Sequence, residues 1–263
     1  MAEALKRRRR LRIGTLWVDV VNFREAMEEI EALVDRRQGG SVFTPNVDHI
    51  VKAQSHDAFR RAYDDVSLSL ADGMPLIWAS PLLGCSLPER VAGSDLLMPL
   101  LELAARRRYR VYLLGGAPGA AETAARIMTE RLGVIVAGWD DTRIEKDGSD
   151  PTGGSVARAK AANADIILVA LGPPKQELWV HRYFDDIRPA VAFGVGASLD
   201  FMAGNYKRAP RWMARSGLEW LYRLLQEPRR LWRRYLVEGP RFFTIVFSTW
   251  RLPVSERVRS YPQ

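Results

Sequence analysis

Val111-Tyr112-Leu113-Leu114-Gly115-Gly116-Ala117-Pro118-Gly119 reads as an apolar strand running into a glycine-rich turn that opens a helix. The same rhythm recurs on either side of it. Ser41 to Phe43 and Val66 to Ala71 lie upstream, and Val134 to Ala137, Ile166 to Leu171 and Ala190 to Phe193 lie downstream, each an apolar run leading into a turn and then a helical pattern. Strands alternating with helices indicate right-handed βαβ crossovers. The expected fold is therefore α/β, a Rossmann-like, mainly parallel sheet with helices on both faces. Ahead of these units, Asn22 and Glu25 have the spacing of a capping box. They predict a helix to about Arg37, with Ala26, Met27, Ile30 and Leu33 on one stripe, ended by Gly39 and Gly40.

After Gly204 no further strand is expected, only helical segments divided by Pro210, Gly217, Pro228 and Gly239. Three regions follow: a basic arm over residues 1–12, a Rossmann-like core over 13–204, and a basic, aromatic-rich helical appendage over 205–263. Charge divides the same way, at +5 for residues 1–12, −6 for 13–206 and +9 for 207–263. An acidic body with basic ends is unlike a nucleic-acid binder with one positive face, and points instead to phosphate contact by the C-terminal segment. Lys6 to Arg12 is expected to be a solvated arm. Nine aromatics between Trp212 and Trp250 are interleaved with arginines. Taken singly, each is expected to pack on the body; together they also suit a membrane interface.

With 263 residues, 47% hydrophobic and 27% charged, the chain is a globular protein rather than a disordered or fibrous one. The single cysteine, Cys85, and the three histidines, His49, His56 and His181, give neither an internal disulfide nor a zinc-ligand spacing, and fit a reducing, cytoplasmic setting. No apolar run approaches the roughly 18 residues of a membrane span. The basic start leads into a segment broken by Asp19, unlike a signal peptide.

In open parallel sheets ligands bind beyond the carboxyl ends of the strands, which makes the residues after each run the candidates for chemistry. Thr44-Pro45-Asn46-Val47-Asp48-His49 supplies a hydroxyl and an amide suited to sugar hydroxyls, although Asn46 is equally suited to capping the next helix. Ala71-Asp72-Gly73 sets a carboxylate at a strand end, the candidate base, with capping as its competing role. Arg90, in Glu89-Arg90-Val91-Ala92-Gly93-Ser94-Asp95, precedes a helix start at Ser94 or Asp95, where it holds a phosphate or pairs with Glu89. Gly115, Gly116 and Gly119 form a turn whose amides and following helix favour an anion or nucleotide, although the spacing is not G-x-G-x-x-G. Leu171-Gly172-Pro173-Pro174-Lys175-Gln176-Glu177 and Gly194-Val195-Gly196-Ala197-Ser198-Leu199-Asp200 repeat the arrangement. Together the three glycine loops suggest a crevice for an extended polar ligand, bordered by Gly172, Lys175, Gln176, Glu177, Gly196 and Asp200.

The chain has no D-x-D, G-x-S-x-G, P-loop or H-E-x-x-H motif, so metal-bridged phosphate binding lacks its usual acids. Arginines are the available substitute. Arg223, Arg230 and Arg233 lie seven and three residues apart, hence on one helix face, with Pro228 between them and with Arg229 and Arg234 as alternatives. A second reading is an NAD-dependent oxidoreductase, using the Gly115 to Gly119 turn and Asp140 as the ribose-binding acid.

Thr44-Pro45-Asn46, Ala71-Asp72-Gly73, Glu89 to Asp95, Leu171 to Glu177, Gly194 to Ala197 and Arg208-Ala209-Pro210, taken as an ordered set, resemble the WecG/TagA/CpsF glycosyltransferases over about residues 13 to 238. The resemblance implies transfer of a sugar, often N-acetylmannosamine or its uronic acid, from a UDP donor to an undecaprenyl-diphosphate-linked sugar at the cytoplasmic membrane face. It implies Asp72 as base, with Thr44, Asn46, Arg90 and Gln176 as active-site polar residues. The C-terminal appendage would supply Arg223, Arg230 and Arg233 to the departing diphosphate and touch the membrane surface. The mechanism implied is a metal-independent inverting displacement with no cofactor. On this reading, removing the chain after about Gly204 abolishes turnover and leaves a folded body. Self-association of the appendage competes with membrane docking.

Overall fold

The computed structural model describes residues 8–205, 213 and 218–261, apart from the side chains at 219, 223 and 230. In chain order the elements are β1 (Arg8–Ile13), β2 (Leu16–Asp19), α1 (Phe23–Arg36), β3 (Gly40–Phe43), α2 (Val47–Ala53), α3 (Asp57–Asp64), β4 (Leu68–Ser69) and α4 (Met74–Ala79). There follow α5 (Gly93–Arg107), β5 (Arg110–Gly115), α6 (Ala120–Leu132), β6 (Ile135–Asp140), α7 (Gly154–Ala161), β7 (Ile166–Ala170), α8 (Lys175–Arg182), α9 (Phe184–Ile187), β8 (Val191–Gly194) and α10 (Ser198–Met202). The C-terminal part holds the helices Glu219–Gln226, Pro228–Trp232 and Arg241–Trp250, and the strand β9 (Val258–Tyr261).

Six strands form one sheet in the order β4-β3-β8-β7-β5-β6, every pairing parallel. The apolar runs look continuous in sequence because both faces of this sheet are covered. Along β5, Val111 and Leu113 enter the core shared with α1, α5 and α6, whereas Tyr112 and Leu114 enter the opposite core shared with α2, α3 and α8. The capping box at α1 is formed, with Asn22 Oδ1 accepting from Glu25 N at 2.9 Å and Glu25 Oε2 accepting from Asn22 N at 2.9 Å. β3 and β5 start the two halves of the sheet and are separated by β8 and β7, so the carboxyl ends of these strands border the crevice of a doubly wound sheet.

The basic arm is not a solvated tail from residue 8 onward. Arg8 to Ile13 forms the middle strand of a second, antiparallel sheet in the order β2-β1-β9. Its arginines cover the outer edge of β4, where unpaired backbone groups would otherwise be exposed. Arg10 Nη2 donates to Val66 O and Ser67 O at 3.0 and 3.2 Å, and Arg8 Nη2 donates to Ser67 O at 2.7 Å. Buried Asp19 accepts from Ser69 N at 2.8 Å and pairs with Arg8 and Arg10 at 2.8 and 2.9 Å.

The expectation that no strand follows Gly204 is likewise corrected, because β9 returns to pair with β1. Helix Arg241–Trp250 buries Phe242, Ile245, Val246 and Thr249 against β1 and α2. Cutting after Gly204 would remove both β9 and this helix from β1 and leave it paired with β2 alone. Packing of the aromatics is also narrower than expected. Phe242 is buried, but Phe243, Phe247 and Trp250 lie on an adjoining face of the same helix at 75%, 55% and 52% exposure, and Trp220 and Trp232 are exposed too. The body covers only one face of a helix that is apolar on two.

Candidate active site

Three of the sequence motifs meet at the carboxyl edge of β3 and β4. The backbone does the joining: Asp72 N donates to Pro45 O at 2.9 Å, and Val91 N donates to Ala71 O at 2.8 Å. Asp72 thus sits between the Thr44 loop and the Arg90 segment. Its side chain is 28% exposed, and its Oδ1 lies 3.6 Å from Arg90 Nη1. Arg90 Nη2 bonds Asp95 Oδ2. Glu89 is not its partner, since Glu89 Oε1 accepts from Phe23 N at 2.6 Å. Thr44 faces the start of α5, where a Cβ on Gly93 would come within 3.1 Å of Thr44 Oγ1. The glycine lets the helix approach the strand end closely.

Asn46 does cap α2, as its alternative reading allowed. Its Oδ1 accepts from Asp48 N and His49 N at 3.0 and 3.4 Å and lies 2.8 Å from His49 Nδ1. His49 Nε2 in turn lies 3.3 Å from Glu177 Oε1. Gln176 Nε2 donates to that same oxygen at 2.8 Å, and Gln176 Oε1 accepts from Gly196 N at 3.1 Å. Gln176 reaches the loop because residue 194 is glycine: a Cβ there would lie 2.8 Å from Gln176 Nε2. Above this network the buried Tyr63 hydroxyl has no hydrogen-bond partner among the described residues. Burial pushes its pKa well above the ordinary value, and the Glu177, Asp72 and Asp48 carboxylates push it further.

On the β5–β6 side the loops are tightly built and their carboxylates are engaged locally. A Cβ on Gly115 would lie 2.7 Å from the Leu171 side chain and 2.9 Å from Ala170 O. Asp200, 8% exposed, accepts from Ala117 N at 2.9 Å and from Asn205 Nδ2 at 3.3 Å, fixing the turn of Gly115, Gly116 and Gly119. Asp140 accepts from Thr142 N at 2.8 Å and pairs with Arg158 at 2.8 Å. Gly172 and Gly196 stand with open space beside their Cα atoms. Lys175 Nζ donates to Ile144 O at 2.9 Å at the side of an open cleft of about 460 Å³ that Arg143, Lys146 and Ser149 also border.

The model of the Glycosyl transferase WecG/TagA/CpsF family matches residues 11–255. The chain belongs to this family. It is 35% identical over 216 residues, 82% of its own length and 81% of the relative's, to the N-acetylglucosaminyldiphosphoundecaprenol N-acetyl-beta-D-mannosaminyltransferase of Bacillus spizizenii. To the protein of the same description in Bacillus subtilis it is 34% identical over 205 residues, 77% of each chain. It is a glycosyltransferase, and the oxidoreductase reading falls: Asp140, its proposed ribose-binding acid, is held by Arg158.

In this glycosyltransferase the C-terminal arginines divide. The side chains of Arg223 and Arg230 lie outside the described residues, as do Arg208-Ala209-Pro210. Arg233 is exposed. Arg234 turns inward instead, its Nη2 3.3 Å from Asp48 Oδ2, which Lys52 Nζ also meets at 2.9 Å. Burial pushes the Asp48 carboxyl up, but Arg234, Lys52 and His49 outweigh it and hold it below the ordinary value. His49, Tyr63 and Asp48 were not singled out as site residues from sequence. His49 had one signal, its place three residues after Asn46; a tyrosine on an amphipathic helix has none. Among the described residues no group of three or more His, Cys, Asp or Glu side chains is arranged to hold a metal ion.

Proposed function

We propose that this glycosyltransferase moves N-acetylmannosamine from a UDP-linked donor to N-acetylglucosaminyl-diphospho-undecaprenol, with Asp72 as general base and without a metal ion. The donor sugar and acceptor follow the names of the two Bacillus relatives. The observation that carries the base assignment is the position of Asp72, at a strand's carboxyl edge, partly open to solvent and only 3.6 Å from Arg90. In the reaction the acceptor hydroxyl oxygen attacks the anomeric carbon while Asp72 takes its proton, and the bond to UDP breaks with its electron pair leaving on the diphosphate. An α-linked nucleotide donor gives the β product in the relatives' names by one inversion. Charge gathers on UDP, and arginines are the groups suited to it: Arg90 from the core, and Arg223, Arg230 and Arg233 from the C-terminal segment. Thr44 and Asn46 face sugar hydroxyls, while the turn of Gly115, Gly116 and Gly119, held by Asp200, and the loops of Gly172, Lys175 and Gly196 border the donor. Gln176 acts from beneath, accepting from Gly196 N, and Glu177 supports it by accepting from Gln176 Nε2.

The acceptor is a membrane lipid, and we place the enzyme peripherally on the inner face of the cell membrane. No helix among the described residues is long and apolar enough to cross a bilayer. Phe243, Phe247 and Trp250 make an exposed apolar face beside Arg251, whose guanidinium lies 5.2 Å from the Phe247 ring centre, a pairing suited to the headgroup region. Co-sedimentation with anionic liposomes tests this: Phe247→Ser with Trp250→Ser should release most of the protein, and undiminished binding would overturn the placement. The chemistry is tested by UDP release from a panel of UDP-sugars in EDTA, with a lipid-diphosphate-linked N-acetylglucosamine analogue. Acceptor-dependent release from UDP-N-acetylmannosamine that Asp72→Asn abolishes is the expected result. Activity lost in EDTA and restored by a divalent ion would overturn the metal-free mechanism.

A further inference from the structure

Glu177 is fully buried, and its Oε2 has no hydrogen-bond partner among the described residues. A buried acid left half-satisfied costs stability, and a well-packed apolar side chain would serve the fold better. Its surroundings explain its presence. Asn46 Oδ1 accepts two backbone N–H groups at the start of α2, so that atom is oxygen and has no hydrogen to give. His49 Nδ1 lies 2.8 Å from that oxygen and 3.4 Å from the Asn46 backbone N–H, and the two contacts ask for opposite tautomers. The closer one, to an atom that can only accept, places the hydrogen on Nδ1 at the expense of the longer. Nε2 then faces Glu177 Oε1 at 3.3 Å, and one further proton must lie between them, on the imidazole or on the carboxyl. The same Oε1 also accepts from Gln176 Nε2. The chain Gly196 N, Gln176, Glu177, His49, Asn46 thus runs beneath the loops that follow β8, β7 and β3 and ties them together.

We propose that His49 and Glu177 are a buried positioning pair that shares one proton and thereby orients the Asn46 amide, turning its Nδ2 toward the substrate, and sets the Gly196 loop against it. The proposal rests on the placement of the active site given above. Only an acid at position 177 satisfies both neighbours. A glutamine presenting oxygen meets the lone pair of Nε2, and one presenting its amide meets the Gln176 donor, so Glu177→Gln breaks one link while keeping the shape.

The test compares wild type, Glu177→Gln, His49→Gln and the double variant for turnover, donor and acceptor KM, and melting temperature, with Asp72→Asn as control. We expect each single variant to lose about 10- to 100-fold in kcat, the scale of a small misplacement of reacting groups, with KM changed far less. The double variant should lose no more than the worse single one, because both break one chain. Independently of activity, ¹⁵N NMR of wild-type His49 should show a protonated Nδ1. Unchanged kcat in Glu177→Gln, losses that multiply in the double variant, or a neutral ring with bare Nδ1 would each overturn the pair. An Asp72→Asn enzyme with full turnover would instead overturn the active-site placement and leave the NMR result standing.

Discussion

The two halves of the sheet's carboxyl edge carry carboxylates at matching positions and treat them differently. After β4, Asp72 is partly exposed and meets Arg90 at 3.6 Å. At the end of β6, Asp140 is buried and closed by Thr142 and Arg158, and near the end of β5 Asp200 is buried and accepts from the Ala117 amide. A strand-end acid is thus a better candidate for chemistry where it stays partly open to solvent than where its neighbours bury it. At Asp72 the next helix, α4, starts from Gly73, at φ 118°, without a side-chain cap, and the carboxylate meets Arg90. Asp140 and Asp200 each face N–H donors that a carboxylate satisfies well.

This contrast can be broken. Asp72→Asn should lower acceptor-dependent turnover by about 10³-fold, within the range of a lost general base, with little change in melting temperature. Comparable losses in Asp140→Asn would erase the difference between the halves. Asp200→Ala should raise the donor KM about tenfold through the loosened glycine turn, and cost about 1–2 kcal/mol in urea denaturation because the Ala117 N–H loses its acceptor. A smaller effect is expected with acid. Asp48, beside the site, and Asp150, in the loop before α7, both titrate below the ordinary carboxylate value of 3.8. For Asp150, burial acts upward but is outweighed by hydrogen bonds from Ser155 and Thr152. A lowered folded pKa adds stability that is fully present above the unfolded pKa and is lost as pH falls toward the folded one. Denaturant midpoints should therefore hold above about pH 5 and fall below about pH 4, and Asp48→Asn should flatten part of that fall. Smallest of all, Asp140→Asn should leave turnover within about twofold and stability within about 1 kcal/mol, because Arg158 is half exposed. A large loss there would reopen a ligand role for Asp140.

Much of the frame was legible because local rules wrote it. The Asn22–Glu25 cap, the six apolar runs of the parallel sheet and the glycine turns each depend on neighbours a few residues away. The resemblance of the Thr44, Asp72, Arg90 and Gln176 motifs to a family was legible as well, since their order survives in the chain. The ends were misread for the opposite reason. Arg8 to Arg12 looks like a solvated run, but pairing with β2 and β9 makes it a strand, and its arginines meet the carbonyls of Val66 and Ser67, more than fifty residues away. The segment at Val258 has no alternation strong enough to announce a strand, and it becomes one because β1 offers it an edge.

The sequence by itself determined the α/β architecture, the family and the motifs at the strand ends, because periodicity, turn chemistry and motif order are properties of short stretches. Which carboxylate stays partly exposed, which arginine faces inward, and that Asn46, His49, Glu177, Gln176 and Gly196 form one chain were decided only by the tertiary structure. Hydrogen bonds and burial depend on distances between residues that the sequence places far apart, and those distances exist only once the sheet has brought its strand ends together.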